Sequence, residues 1–157
     1  GLEIREPLVS SSERKRKQLG LLNLKFLYCN VNISLDEWLS DLDLNQLKRV
    51  SIQFPDPWFK RKHLKRRVLT KSLLNSIARS ISKDGELFIQ SDISKLIEYM
   101  TNIIDESIYF DRKILKGLKW IEKNPYEVTT DRESFVLKQN LPIYRAMYIR
   151  NSALFIN

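Results

Sequence analysis

Apolar residues along the chain follow two spacings, one typical of β-strands and the other of amphipathic helices. Short apolar runs predict strands at 1–4, 25–29, 50–54, 86–90 and 144–149. Apolar positions three to five residues apart predict helices at 6–19, 34–39, 69–81 and 93–104. Because strands alternate with helices, the sequence predicts an α/β fold.

Several element ends can also be predicted. Pro7 suits the first turn of a helix, and Gly20 is placed to close it. Ser34 and Glu37 form a capping-box pattern. Two apolar stripes are expected to pack into the core: Leu69, Leu73, Leu74, Ile77, Ala78 and Ile81, then Ile93, Leu96, Ile97, Met100, Ile103 and Ile104. The pattern weakens at 105–124, which predicts irregular structure there.

Four polar residues lie at or just after the ends of predicted strands. They are Glu3, Asn30, Asp56 and Asp92. In open α/β sheets, ligands bind outside the carboxyl ends of the strands. The sequence therefore predicts that these four residues share one edge of the sheet.

The most informative stretch is 54–67, which reads FPDPWFKRKHLKRR. Proline fixes its own φ and restricts the residue before it, so Pro55 and Pro57 are expected to hold the backbone on both sides of Asp56. Trp58 and Phe59 offer faces on which a base can stack. A rigid acid beside a stacking surface indicates chemistry on a nucleobase.

A run of cations follows these aromatics. The residues expected to contact phosphates are Arg61, Lys62, Lys65, Arg66 and Arg67. A run of basic residues more often forms a solvated helix face. That is the interpretation favoured for the second basic run, residues 14–17. The segment after the Pro-Asp-Pro turn contains almost nothing to bury, which favours a functional role.

Composition narrows the possible partners. Lys and Arg number 27 against 19 Asp and Glu among 157 residues, a net charge of +8 that favours an acidic partner such as nucleic acid. The single cysteine, Cys29, excludes an internal disulfide. No apolar run reaches the ~18 residues of a membrane span, and no signal-peptide pattern is present, so a cytoplasmic location without membrane contact is expected. His63 and Cys29 are too far apart in sequence to suggest a metal site.

The motifs together resemble the bacterial tRNA (guanine-N7)-methyltransferases, which use S-adenosylmethionine. The resemblance rests on GLEIREPLV, FPDPWFKRKHLKRR, QSD, TDRE and YRAMY, and it covers nearly the whole chain. It implies a Rossmann-like class I methyltransferase sheet with helices on both faces. The implied reaction is methylation of N7 of a variable-loop guanine in tRNA.

The resemblance also assigns roles to residues. It implies that Glu3 binds the cofactor ribose, and that Asn30, where the family usually has aspartate, lies beside the adenine. Asp56 matches the site acid next to both the methyl donor and the guanine. The positions that match substrate contacts are Lys60, Asp92, Thr130, Asp131, Arg132 and Glu133. The family commonly has an aromatic residue where this chain has Arg132.

The family's first motif, an acidic residue at the end of a strand and a Gly-rich turn, is absent from the sequence. The chain has four glycines and no G-x-G. We therefore expect 1–157 to be a single methyltransferase-like domain that lacks its first strand and first helix, the C-terminal portion of a longer enzyme. The alternative is a non-catalytic RNA-binding remnant that cannot hold the cofactor. Sequence-specific DNA binding is disfavoured, because no helix-turn-helix or zinc spacing appears.

Structural roles compete with several of these assignments. Asp56 could cap a turn, Trp58 could fill the core, and Asp92 could cap a helix. Glu3 could be an ordinary surface acid. The sequence leaves open the oligomeric state and which tRNAs are substrates.

Overall fold

The computed structural model describes residues 1–40, 42–43, 46–113 and 117–155, which belong to two compact units, Gly1–Asp41 and Leu42–Asn157. The described residues form strands, five α-helices and one 3₁₀ helix. The larger sheet mixes parallel and antiparallel pairs. The predicted α/β class is confirmed, and the assignment of 1–157 to a single domain stays a prediction.

In the first unit, a helix connects two short parallel strands. Strand β1 (Leu2–Glu3) pairs with β2 (Leu27–Tyr28), and α1 (Glu6–Gln18) lies between them in sequence. The predicted helix ends are confirmed, with a proline in the first turn and Gly20 at φ 64° after the last. The Gly20 N–H donates to the Lys17 carbonyl (3.1 Å), which satisfies an orphan helix carbonyl.

The second half of this unit differs from expectation. The strand predicted at 25–29 is two residues long, and Tyr28 is 59% exposed. Helix α2 (Val31–Ser40) begins before Ser34, so the capping-box prediction was wrong. The Asn30 side chain occupies the cap instead, since its Oδ1 accepts the N–H of Asn32 at 3.1 Å.

The second unit contains a four-stranded sheet in the order β3-β4-β6-β5. Its strands are β3 (Leu47–Gln53), β4 (Ile81–Ser91), β5 (Phe110–Arg112) and β6 (Tyr144–Arg150). Strands β3 and β4 are parallel, whereas β6 is antiparallel to both β4 and β5. The carboxyl ends of β3 and β4 therefore meet the beginning of β6 at one edge.

The core of this unit follows the predicted stripes. Helix α3 (Lys71–Ser80) and its flanks bury all six residues of the first stripe, each at most 5% exposed. Helix α4 (Ser94–Asp105) buries Leu96, Ile97, Met100 and Ile104, while Ile93 and Ile103 are only half-buried. Strand β4 begins earlier than predicted and is irregular near Asp84, which has φ 63°.

The N-cap of α3 allows a stability test. Thr70 has an extended backbone, and its Oγ1 accepts the Leu73 N–H at 3.1 Å. Because Thr70→Ala leaves that N–H without its cap, we expect the free energy of unfolding to fall by about 1 kcal/mol in urea titrations. Thr70→Ser keeps the hydroxyl and should lose little. Equal losses in both variants would show that the methyl group, not the cap, stabilises this site.

Candidate active site

The segment that follows β3 has an unusual backbone on both sides of Asp56. Phe54 has φ 47° and Trp58 has φ 44°, a region that costs a bulky residue on the order of 1–3 kcal/mol. The Phe54 N–H donates to the Gln90 carbonyl at 2.9 Å, which ties the start of the segment to β4. Pro55 and Pro57 lie between these residues and Asp56, so the backbone is constrained at two residues on each side of Asp56.

This segment and the start of the basic run enclose a surface hollow of about 540 Å³. It is lined by Asp56, Pro57, Trp58, Phe59, Lys60 and His63. A carboxylate, two aromatic rings and a cation therefore face the same space. The structure brings these groups together, and their joint action stays a prediction.

The two aromatic residues of the hollow differ in exposure. Phe59 is 65% exposed, whereas Trp58 is half-buried. The Trp58 ring lies 5.6 Å from the His63 ring centroid, and the Arg66 guanidinium carbon lies 5.2 Å from the Trp58 centroid. Trp58 is therefore held by the basic segment rather than by the core, and Phe59 has the more open face.

The basic segment forms a short 3₁₀ helix, Arg61–Arg66. Four of the five predicted phosphate contacts are exposed: Arg61, Lys62, Lys65 and Arg66. Arg67 is half-buried, and its Nε donates to the Pro57 carbonyl at 3.0 Å while its Cζ lies 4.5 Å from the Tyr99 ring centroid. Arg67 thus braces the Pro-Asp-Pro segment, and its contact with phosphate stays a prediction.

Asp92 lies after the neighbouring strand β4. The interpretation of Asp92 as a helix cap was wrong, because Ile93 is the N-cap of α4 and makes no side-chain cap bond. The Asp92 carboxylate instead accepts a hydrogen bond from Arg132 Nη2. That pair joins the end of β4 to the TDRE motif.

The TDRE motif forms the start of α5 (Asp131–Lys138). Thr130 is the N-cap, and its Oγ1 accepts the Glu133 N–H at 3.1 Å. Asp131 and Arg132 are exposed, whereas Glu133 is fully buried and forms an ion pair with Arg145. The motif therefore presents Asp131 and Arg132 to solvent and turns Glu133 inward.

The sequence did not identify the residues that surround Glu133. They are Gln53, Gln90, Asn124 and Arg145. Both VSIQF and LFIQS place a glutamine at the end of an otherwise apolar strand, and YRAMY places an arginine within one. Gln90 and Arg145 lie in the buried strands β4 and β6, where a polar side chain is expected to have polar partners, and that was the available signal.

In the first unit, Glu3 is the last residue of β1, and Asn30 lies two residues after the parallel strand β2. The Glu3 carboxylate accepts the Arg5 N–H (2.8 Å) and Arg5 Nε (3.0 Å), and the hydrogen bond from Arg5 lowers the pKa of Glu3. The charged carboxylate suits ribose hydroxyl donors, and the Asn30 amide offers two N–H donors besides its capping oxygen. Both residues fit the expected cofactor roles, and the prediction that they share an edge with Asp56 and Asp92 stays a prediction.

The described residues also bear on metal binding and membrane insertion. No group of three or more His, Cys, Asp or Glu among them could hold a metal ion. None of their helices is long and apolar enough to cross a membrane.

Solved structures show the fold to which this chain is similar. An rRNA methylase from Streptococcus thermophilus superposes with a TM-score of 0.58 at 12% identity, over 96% of this chain and 72% of that one. A "putative methyltransferase" from Streptococcus mutans, solved in complex with SAH, gives 0.56 at 12% identity over 95% of this chain and 73% of that one. The fold is that of a class I S-adenosylmethionine-dependent methyltransferase, as predicted.

Sequence comparisons show the family. The family model described as "Putative methyltransferase" matches residues 1–146. A tRNA (guanine-N(7)-)-methyltransferase from Prochlorococcus marinus (strain NATL1A) is 74% identical over 157 residues, 100% of this chain and 73% of that protein. One from strain MIT 9313 is 54% identical over 151 residues, 96% of this chain and 64% of that protein. The chain belongs to the tRNA (guanine-N7)-methyltransferase family.

Proposed function

We propose that this protein transfers a methyl group from S-adenosylmethionine to N7 of a guanine in the variable loop of tRNA. The observation that carries the proposal is the hollow in which Asp56 lies with Trp58, Phe59 and Lys60. The proposal is also supported by the high sequence identity, over the whole chain, to proteins named for this activity. The same identity disfavours the alternative of a non-catalytic RNA-binding remnant.

The residues proposed to hold the cofactor are Glu3, Asn30 and Asp56. Glu3 accepts hydrogen bonds from the ribose hydroxyls, and Asn30 contacts the adenine. Bound S-adenosylmethionine supplies a methyl group activated by its positively charged sulfur. Like an ordinary glutamate, Glu3 is ionised at neutral pH, and the hydrogen bond from Arg5 lowers its pKa further.

Asp56 stabilises charge rather than removing a proton. Guanine N7 already carries a lone pair, so its attack requires no strong base, and positioning supplies much of the rate. The imidazole ring of the guanine becomes positively charged as N7 gains the methyl group. A carboxylate fixed between two constrained backbone segments stabilises that charge as it develops.

The substrate is bound by stacking and by charge. The target base leaves its stack at a cost of a few kcal/mol, and stacking on Phe59 or Trp58 recovers part of that cost. The residues that contact the nucleotide are Lys60, Asp92, Thr130, Asp131 and Arg132. The Thr130 hydroxyl can donate a hydrogen bond to the nucleotide while its oxygen caps α5. The basic segment 61–67 follows the phosphates. Such an enzyme acts on tRNA in the cytoplasm.

A substituted substrate tests the reaction. The protein expressed from its full coding sequence is given tRNA with guanine or 7-deazaguanine at the methylated position. We expect methyl transfer only to guanine, with similar affinity for both tRNAs, because the analogue lacks N7 alone. Methylation of the deaza substrate would place the reaction at another atom and contradict the proposal.

The cofactor role of Glu3 predicts a modest binding defect. Glu3→Gln should weaken S-adenosylmethionine binding about tenfold in calorimetry, because a charged acceptor of the ribose hydroxyls is lost. The ordinary pKa of a glutamate side chain lies well below about 6, and that of Glu3 is lowered further. The Glu3 carboxylate therefore stays charged, and wild-type affinity should be flat, between about pH 6 and 8.

Glu6→Gln provides the matched control, since Glu6 is an exposed acid in the first turn of α1. Its affinity should equal that of the wild type. Equal weakening in both variants would assign the effect to net charge and remove Glu3 from the cofactor site. No saturable heat with the wild-type protein would favour the RNA-binding remnant.

A further inference from the structure

The end of the sheet nearest the hollow contains a polar network in which Glu133, Gln90 and Arg145 are buried and Gln53 is exposed. Arg145 Nη2 and Glu133 Oε1 form an ion pair at 2.7 Å, with side chains 5% and 0% exposed. Glu133 Oε2 accepts Asn124 Nδ2 at 2.8 Å and Gln90 Nε2 at 3.3 Å. Both carboxylate oxygens of Glu133 therefore point at protein donors, away from solvent.

The partners of Glu133 are themselves hydrogen-bonded. Arg145 Nε donates to Gln90 Oε1 at 3.1 Å, and Arg145 Nη1 donates to the Glu122 carbonyl at 2.8 Å. Gln90 Nε2 donates in addition to Gln53 Oε1 at 2.7 Å. A charge pair taken out of water needs such additional partners to offset its desolvation. Removal of one group therefore disturbs every other member.

Three members of the network, Gln53, Gln90 and Glu133, are next to groups that form the proposed site. Gln53 ends β3, one residue before Phe54 and three before Asp56. Gln90 pairs with Gln53 and with Arg145 in the sheet, and its carbonyl accepts the Phe54 N–H. Glu133 is adjacent to Arg132, which binds Asp92. The network thus joins the Asp56 segment to the start of α5.

We propose that Glu133, Arg145 and Gln90 are positioning residues, which fix Asp131 and Arg132 relative to Asp56 without touching the tRNA. This inference rests on the proposed function, and it changes the role of Glu133 from direct substrate contact to support from within. Displacement of a positioned group by about 1 Å is enough to slow a reaction strongly while binding persists.

A double-mutant cycle tests the proposal in the protein expressed from its full coding sequence. The variants are Glu133→Gln, Arg145→Lys and the two combined. Each keeps a polar side chain of similar length, which limits loss of folding. The readouts are the single-turnover rate of methyl transfer at saturating cofactor and tRNA, the Kd for tRNA, and the midpoint of thermal unfolding.

We expect each single variant to lower the rate about 10- to 100-fold, with the tRNA Kd changed by less than about threefold. The losses should not multiply in the combined variant, because both substitutions disrupt one network. Arg150→Lys is the matched control: Arg150 is 7% exposed on the same strand and donates to the carbonyls of Ala78 and Ala153. It should lower the unfolding midpoint and leave the rate unchanged.

Three results would overturn the inference while the wild-type protein methylates tRNA. A Kd for tRNA raised tenfold by Glu133→Gln alone would show direct contact. Rate losses that multiply would show independent roles, and unchanged rates would show no role. A wild-type protein that transfers no methyl group to tRNA would instead contradict the proposed function, and the inference with it.

Discussion

Asp56→Ala should reduce the single-turnover rate of methyl transfer by about 10²- to 10³-fold, the loss seen when one preorganised charge-stabilising group is removed. The Kd for tRNA should change by less than about threefold, because the exposed cations of 61–66 remain and dominate affinity. The physical reason is the proposed place of the Asp56 carboxylate, beside the atom on which positive charge develops. Rapid-quench methyl transfer and filter binding measure the two quantities.

Two variants make this result specific. Asp56→Asn keeps the shape of the side chain and removes its charge, so it should lose nearly as much rate as alanine. Asp84→Asn removes a charge from an exposed aspartate at the opposite end of the β3–β4 pair, where asparagine tolerates the positive φ, and it should retain full activity. A large rise in tRNA Kd with unchanged single-turnover chemistry in Asp56→Ala would make Asp56 a binding residue instead.

Substitution of two basic residues should weaken tRNA binding and reduce its dependence on salt. Arg61 and Lys65 are both exposed on the 3₁₀ helix, so Arg61→Ala with Lys65→Ala removes two proposed phosphate contacts. Each contact contributes a log–log slope of about 0.8, so the slope should fall by about 1.6 and affinity at 0.15 M salt by about 20-fold. Kd values measured at several salt concentrations give both numbers.

The matched control removes the same kinds of charge elsewhere. Arg14→Ala with Lys15→Ala deletes one arginine and one lysine from the exposed basic run of α1, which the sequence analysis assigned to a solvated face. Its salt slope should equal that of the wild type. Equal slopes in both double variants would mean that net charge alone attracts the tRNA and that the basic segment makes no defined contact.

The elements predicted best are those with strong local signals. The apolar stripe from Leu69 to Ile81 predicted a helix with one buried face, and all six of its residues are buried. Pro7 and Gly20 marked the ends of α1 because their backbone preferences are intrinsic. Ser34 misled the prediction of α2, since Asn30 offers a competing cap four residues earlier and the helix begins there.

The candidate site was predicted as a set of residues but not as a set of contacts. FPDPW and the cations after it were adjacent in sequence, so their common hollow followed from local geometry. The inward turn of Glu133 did not, because its partners Gln90 and Arg145 are 43 and 12 residues away. In the sequence, Arg67 likewise appears equivalent to the other basic residues of 61–66. In the structure it differs from them, because it donates a hydrogen bond to the Pro57 carbonyl.

The amino-acid sequence by itself determined the α/β class, the family and the chemical groups that the reaction requires, because these depend on periodicity and on motifs of adjacent residues. Only the tertiary structure decided which of those groups face the hollow and which are enclosed. Strand pairing brings Gln53, Gln90 and Arg145 side by side, and a buried charge must find its partners wherever the fold places them. That requirement acts across the sheet, where sequence spacing carries no information.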